Sequence, residues 1–351
     1  SAPVDVSGLK IESIKGNVVI DEVVEAIELP EFDPQAMRGT DDPSQISLSR
    51  AVIAQVHDYV SSIASMYPSE NAFHNFEHAT HMAMAASKLL SRVVVQDCLD
   101  ITEAIELHAS TDGINSDPLT HFAVVFAALI HDVDHPGVPN SQLAKEKPGL
   151  AELYKHKSIA EQKSVDIAWD MLMEAKYLEL RACIYSNESE LQRFRQLVVN
   201  CVMATDIFDK DMKELREHRW EKAFGDKSEE FTLGNRKATT VIEHITQVSD
   251  IAHTMQHWHV FRKFNERLFT ERLDAFYEGR SDEEPSETWY ENELWFFDNY
   301  VIPLAKRLGD CEVFGIASNE CLNYALGNRE EWAAKGQELV EEMLAAYTPP
   351  A

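Results

Sequence analysis

From Ser47 onward the chain is a succession of long segments whose apolar residues recur every three or four positions. They run from Ser49 to Met66, His78 to Leu90, Leu119 to Val133, Ser158 to Glu174, Glu190 to Met203, Thr239 to His253, Val260 to Tyr277 and Leu294 to Arg307. Side chains at that spacing share one face of a helix, so each segment carries a stripe that must be buried against another. No repeated strand signal appears among them, and no Gly/Ser-rich linker divides them. The pattern predicts one all-α domain of many packed helices over residues 46–346. Residues 1–45 read as an extended lead-in, with the β-like run Val18-Val19-Ile20 and prolines at 30, 34 and 43, and residues 347–351 as a tail. The acidic stretches Gly225 to Glu230 and Gly279 to Glu287 read as solvated loops, the second bordering the aromatic segment Trp289 to Tyr300.

Charge limits the partners. Sixty acidic residues stand against 32 basic ones, for a net charge of −28 spread along the chain. General affinity for nucleic acid or an anionic membrane is excluded on that balance, and any phosphate handled here must be attracted locally, by metal ions or a few basic side chains. Cys98, Cys183, Cys201, Cys311 and Cys321 form no C-x-x-C pair and read as free thiols of a reducing compartment. The longest strongly apolar run, Phe122 to Ile130, is about half of the ~20 residues a membrane helix needs. The N-terminus lacks the charged and apolar regions of a signal peptide. These features predict a cytoplasmic domain with no membrane insertion of its own, either free or the cytosolic part of a larger, membrane-anchored protein.

Chemistry concentrates in two places. His74-Asn75-Phe76-Glu77-His78 opens a helical segment and sets two imidazoles four residues apart on one face. Alone, such a pair is more often made of capping or surface histidines than of a metal or catalytic site. In the second place, Asp117 and Pro118 can start a helix, as N-cap and first helical residue, with Phe122 to Ile130 as its apolar body. It ends on His131-Asp132-Val133-Asp134-His135-Pro136-Gly137, where Pro136 and Gly137 turn the chain. Four ionisable groups at the end of a buried helix are costly without partners, and imidazole with carboxylate is a standard ligand set for divalent metals. Asp250 lies near the end of a helix that buries Val241, Ile242, Ile245 and Val248; taken alone it reads as a capping or salt-bridged residue.

The order of these motifs resembles the catalytic domain of the class I cyclic nucleotide phosphodiesterases, within the wider HD phosphohydrolase group. The resemblance rests on Phe73-His74-Asn75-x-x-His78-Ala79, then the His131 to Gly137 motif, Ser158-x-x-Glu161, Ala204-Thr205-Asp206 and Ser249-Asp250, and covers roughly residues 50 to 345. It implies a compact multi-helix fold with a metal site at the base of a deep pocket. It also implies that His78, His131, Asp132 and Asp250 bind a tight Zn2+. Asp132 would bridge to a second ion, Mg2+ or Mn2+, whose waters are held by His135, Glu161 and Thr205. The implied reaction is hydrolysis of a 3′,5′-cyclic nucleotide to the 5′-monophosphate. Hydroxide bridging the ions attacks phosphorus, and His74 acts as general acid on the departing 3′-oxygen. Fusion to regulatory or cyclase domains in a longer protein fits the same resemblance.

The purine pocket of that family uses a glutamine and, three residues on, a stacking phenylalanine. Here Glu293 and Phe296 occupy those positions. Ionised glutamate only accepts hydrogen bonds, which suits guanine; a protonated one could serve adenine. With an ordinary pKa of about 4.3 the ionised form is expected, giving a lean toward cyclic GMP over cyclic AMP. Residues 161 to 164 read Glu-Gln-Lys-Ser where the family has Glu-Asn-His-His, His81 replaces an aspartate and His253 an asparagine. Two rival readings remain: an HD-type phosphohydrolase acting on another phosphoester, and a catalytically silent nucleotide-sensing domain.

Overall fold

The predicted apolar stripes become helices that enclose the most apolar of their number. The computed structural model describes residues 6–9, 18–31, 47–93, 101–225, 233–311, 313–314 and 318–349, and among these no strand occurs. The first helices are α1 (Arg50–Met66), α2 (Phe76–Arg92), α3 (Ile101–Ser110) and α4 (Pro118–Ile130). Then come α5 (Asn140–Glu146), α6 (Pro148–Leu153), α7 (Ile159–Leu172), α8 (Leu178–Ile184) and α9 (Glu188–Thr205). The rest are α10 (Lys210–Phe224), α11 (Leu233–Asp250), α12 (Trp258–Tyr277), α13 (Trp289–Phe296), α14 (Ile302–Asp310) and α15 (Ser318–Ala346). A single π-helical stretch, Phe297–Val301, joins α13 to α14.

Helix α4 is apolar nearly all round because α2, α7, α9 and α11 all pack on it. Pro118 stands in its first turn as expected. Asp117 is its N-cap residue by position, yet the carboxylate bonds the Thr120 hydroxyl (2.7 Å) and Arg193 (3.3 Å) instead of a helix N–H. The α2 cap is more regular: the Asn75 side chain accepts from the N–H groups of Glu77 and His78. This fixes His78 in the first turn, with His74 just outside the helix.

The β-like run Val18–Ile20 is not a strand. Val19–Glu22 forms a 3-10 turn, and residues 23–31 follow without regular structure, starting from an extended Val23 and bending at Glu25. With no neighbouring strand to pair with, this segment lies on the helices, and its Val19 and Ile27 join the same hydrophobic core as the bundle. Residues 1–5, 10–17 and 32–45 of the predicted lead-in, residue 46 of the predicted domain, 226–230 of the first acidic loop, Cys98 and the last two residues of the tail lie outside the described residues. The second acidic stretch is a turn with a short 3-10 piece at Pro285–Glu287. Cys183, Cys201, Cys311 and Cys321 are free thiols.

One buried ion pair ties α10 to α11. Arg219 and Glu243 are 1% and 4% exposed and hydrogen-bonded to each other, and Glu243 also accepts from Asn200 at 2.8 Å. Removing one partner strands a charge in the core. Glu243→Leu is therefore expected to lower the unfolding free energy by about 3–5 kcal/mol. Denaturant titration checks this, and a loss below about 1 kcal/mol would show that the pair is solvated on the time average.

Candidate metal centre and active site

Three helices deliver four donor atoms to one point. His78 comes from the first turn of α2, His131 and Asp132 from the turn that ends α4, and Asp250 from the last residue of α11. His78 Nε2 lies 3.1 Å from Asp250 Oδ1 and 3.6 Å from Asp132 Oδ2. His131 Nε2 lies 2.9 Å from Asp132 Oδ2 and 3.4 Å from Asp250 Oδ1. Donors on a tetrahedral ion with bonds of about 2.0 Å stand about 3.3 Å apart, so these separations suit a shared cation.

Hydrogen bonding argues the same way. The Nδ1–H of His131 donates to the Ala128 carbonyl at 3.0 Å, which turns the Nε2 lone pair toward the two carboxylates. His131 Nε2 is buried and has no hydrogen-bond partner of its own. Lone pairs facing carboxylates repel unless a proton or a cation lies between them. Accordingly, the burial that disfavours a charged His131 ring is outweighed by Asp132 and Asp250, and its pKa stands well above the ordinary histidine value. Burial pushes the two carboxyls up, but the histidines overcome it and hold both below the usual carboxylate range. The donor set and its polarity fit a bound divalent metal.

His74 stands beside this cluster and is held by Glu271 of α12. The Glu271 carboxylate bonds His74 Nδ1 and accepts the backbone N–H groups of Phe73 (2.9 Å) and His74 (2.8 Å). Burial works against a charged His74 ring, but Glu271 outweighs it and raises the His74 pKa. For Glu271 the partners win over burial and bring the pKa down to about 2. With Nδ1–H committed to Glu271, Nε2 is the atom left to meet a substrate. His135 stacks on His74 with ring centroids 3.9 Å apart, and its Nδ1 accepts from the Gly137 N–H at 3.2 Å. Burial, then the neighbouring His74 charge, lowers its pKa to about 3, so His135 is neutral near neutral pH. Asn71 donates to the carbonyls of His74 (3.1 Å) and His135 (2.8 Å), locking the two loops together. Gly137 has φ +72°, and a Cβ there would lie 3.0 Å from the Asn71 side chain.

Glu161, in the first turn of α7, forms a second acidic cluster. Asn140 Nδ2 donates to Glu161 at 2.8 Å and to Asp206 at 3.2 Å. Burial first, then the Asp206 charge, pushes the Glu161 pKa to about 8, and the charge of Asp132 adds to the effect. Thr205 is not drawn into this cluster by any recorded bond: its hydroxyl donates back to the Val202 carbonyl at 2.8 Å. The altered residues after Glu161 have structural partners. Gln162 holds residues 154, 157 and 20, Lys163 pairs with Asp134, and Ser164 donates to the Val133 carbonyl at 2.8 Å. Helix α7 is thereby laced to the turn that carries His131 and Asp132.

Glu293 and Phe296 sit on α13, and among the described residues no hydrogen bond or ring contact joins them to the metal cluster. Helix α12 spans the gap: Asn265 bonds Glu293 and accepts from Trp289 Nε1 at 3.2 Å, while Glu271 six residues on bonds His74. Phe296 stacks on Tyr300 at 5.4 Å, and the buried Tyr300 phenol feels the charge of Asp250. The expected ionised state of Glu293 is disfavoured. The residue is half-buried, and burial of its carboxyl outweighs the Asn265 bond and pushes the pKa to about 8. The shift favours the protonated form near neutral pH, which weakens the premise for the lean toward cyclic GMP.

His81 and His253 flank Phe264, at 4.7 and 5.2 Å, and Phe73 completes the layer against His78 at 4.6 Å. Burial lowers both histidine pKa values, that of His253 to about 3. These two substitutions thus form neutral packing behind a cluster residue. A cavity of about 330 Å³ beside α2 is lined in part by His81, Gln256, His257 and Tyr324, and none of the ten predicted site residues lines it.

Sequence reasoning placed His78, His131, Asp132 and Asp250 together and missed Glu271, Asn71, Asn140 and Asn265. Glu271 lies 197 residues from His74 in an ordinary amphipathic helix, and nothing local marks it. The Asp206 motif was visible, but the sharing of Asn140 with Glu161 was not.

The sequence model of the 3'5'-cyclic nucleotide phosphodiesterase family matches residues 73–312. The chain belongs to that family. It is 31% identical over 153 residues to the 3',5'-cyclic-AMP phosphodiesterase, isoform F, of Drosophila melanogaster, a match covering 43% of this chain and 20% of the relative. With the 3',5'-cyclic-AMP phosphodiesterase 4C of Mus musculus it shares 28% identity over 222 residues, 61% of this chain and 28% of the relative. The matched part spans less than a third of these curated relatives. The fold is that of the crystal structure of the phosphodiesterase domain of Salpingoeca rosetta rhodopsin phosphodiesterase, with a TM-score of 0.62 at 17% identity, covering 92% of this chain and all of that one. No helix among the described residues is long and apolar enough to cross a membrane.

Proposed function

We propose that residues 46–346 form the catalytic domain of a metal-dependent 3′,5′-cyclic nucleotide phosphodiesterase that releases the 5′-monophosphate. The observation that carries this reading is the convergence of four donors from α2, α4 and α11 next to the His74–Glu271 pair. The relatives named as cyclic-AMP phosphodiesterases support the substrate class. The neighbour named as a domain of a rhodopsin phosphodiesterase supports a domain that works within a longer protein.

His78, His131, Asp132 and Asp250 would hold Zn2+, to which two imidazoles and two carboxylates are suited. Asp132 would also reach a second ion, Mg2+ or Mn2+, whose waters Glu161, His135 and Thr205 would orient. Bound divalent ions supply neutralisation of the phosphodiester charge and an acidified water. The remaining work falls to the chain's own residues. Glu271 favours the protonated His74 ring and fixes its orientation through Nδ1, so that Nε2 can present a proton to the departing 3′-oxygen. Neutral His135, stacked on that ring, avoids a second charge beside it.

Phe296 would stack on the base and Glu293 would read its edge. Protonated Glu293 can accept from the adenine amino group and donate to N1; the ionised form can accept twice from guanine. The expected result is a cyclic AMP to cyclic GMP ratio of kcat/KM that falls as pH rises through about 8. In Glu293→Gln that ratio should stay flat, because an amide does not titrate. Paired kcat/KM measurements from pH 6.5 to 9.5 check this, and equal pH profiles in the two proteins would remove Glu293 from base recognition.

A further inference from the structure

The segment 18–31 has backbone groups to satisfy and, among the described residues, no strand beside it, and side chains of four helices, most of them buried, answer them. The Ile20 N–H donates to Gln162 of α7 at 3.0 Å and the Val24 N–H to Asn200 of α9 at 3.2 Å. The N–H groups of Ile27 and Leu29 donate to Thr239 (2.8 Å) and Asn235 (3.1 Å) of α11. The Val24 carbonyl accepts from Asn200 at 2.9 Å and from Arg219 at 2.7 Å. Gln162, Asn200 and Thr239 are no more than 1% exposed. Polar side chains are costly at such depth without partners, so these positions are fitted to a backbone segment lying over them.

Charge points the same way. The segment carries Asp21, Glu22 and Glu25, and in a chain of net charge −28 it meets a local basic surface. Arg195 grips Glu22 through two bonds of 2.7 and 2.8 Å, Lys155 pairs with Asp21, and Lys222 and Arg236 reach Glu25 at 2.8 and 3.5 Å. The ion pairs of Asp21, Glu22 and Glu25 are partly exposed, so water and salt compete for them, while Val19, Ile20 and Ile27 anchor the segment in the core.

The seat has a direct route to the acidic cluster. Gln162, which receives the Ile20 N–H, also donates to the carbonyls of Tyr154 (3.1 Å) and Lys157 (2.6 Å). Those residues bound a turn in which Lys155, His156 and Ser158 all have left-handed backbone, at φ 56°, 58° and 38°. Non-glycine residues adopt that region at a cost of about 1 kcal/mol or more each, so the turn persists only while its surroundings hold it. Helix α7 starts directly after it, and Glu161 stands in the first turn.

We propose that residues 18–31 are a docking strap whose seating on α7, α9 and α11 fixes the start of α7, and thereby positions Glu161 for the weaker divalent ion. This rests on the reading of Glu161 as part of that ion's outer shell. Unseating the strap leaves Gln162 Oε1 without its donor and frees the strained turn, so the strap acts as an input through which changes on the N-terminal side alter the ion requirement.

The test is the triple variant Asp21→Asn, Glu22→Gln, Glu25→Gln in the full chain. The control of equal charge change, Asp282→Asn, Glu283→Gln, Glu287→Gln, lies on the exposed acidic loop. Amide hydrogen exchange reads the strap directly, and calorimetric titration with Mn2+ reads the ion. Faster exchange at Ile20, Val24, Ile27 and Leu29, with Mn2+ bound about tenfold more weakly, is expected, and neither change in the control. Should the triple variant not fold, Glu25→Gln alone removes the pairs with Lys222 and Arg236 and should move both readouts in the same direction by less. Freed strap amides with unchanged Mn2+ binding would overturn the proposal, as would strap amides that stay protected. Because Mn2+ is titrated directly, weaker binding upholds the strap even in a chain that hydrolyses no cyclic nucleotide, whereas unchanged binding overturns it in a fully active one.

Discussion

Asp250→Ala is expected to abolish cyclic nucleotide hydrolysis, by about 10³-fold or more, because it removes a donor from an ion that supplies several kcal/mol of transition-state stabilisation. The local consequence follows from the geometry. His78 Nε2 has its shortest contact, 3.1 Å, with Asp250, and is left with Asp132 at 3.6 Å. The tight metal should therefore be lost together with activity. Metal content of the purified variant, measured beside its rate of cyclic AMP and cyclic GMP hydrolysis, checks both. Full zinc content with wild-type turnover would sink the ligand assignment. The fold should survive, since Asp250 ends its helix and, among the described residues, its carboxylate pairs with His78 and His131.

His74→Asn is expected to lower kcat by about 10²–10⁴-fold while leaving the metals bound, since a general acid acts in the transition state and not on the ions. Its partner gives the more discriminating experiment. The Glu271 carboxylate outweighs burial and raises the His74 pKa, so the ring loses its proton as pH climbs through a value above that of an ordinary histidine. Activity should accordingly fall on the alkaline side. Removing the charge in Glu271→Gln lowers the His74 pKa, so the alkaline limb of the kcat profile should move to lower pH, with a smaller maximal loss than in His74→Asn. A profile that keeps its position in Glu271→Gln would mean that another group donates the proton.

How much of this was legible depended on whether the signal was local. The periodicity of α2, α4, α9, α11 and α12 could be read because burial of one helix face writes itself into spacing along a single segment. His131 and Asp132 stood out because ionisable groups rarely close a fully apolar helix unless something pairs with them. Val18–Ile20 misled because β-branched residues favour extended backbone wherever it is used, and here it lies across helices rather than beside a strand. Glu271 gave no sign at all: a glutamate on an amphipathic helix is ordinary until its neighbour in space is known.

The sequence by itself determined the helical bundle, the family and the residue types gathered at the centre, since each is carried by short-range pattern and motif order. Only the tertiary structure decided the charge states and the connections. Glu293 reads as a carboxylate in the sequence, whereas the fold favours its protonated form near neutral pH, because burial by neighbours distant in the chain disfavours its charge. His74 gains a partner 197 residues away, and Ile20 reaches Gln162 across 142. Such contacts depend on which helices meet, and long-range electrostatics and backbone pairing leave no periodic trace in a single chain.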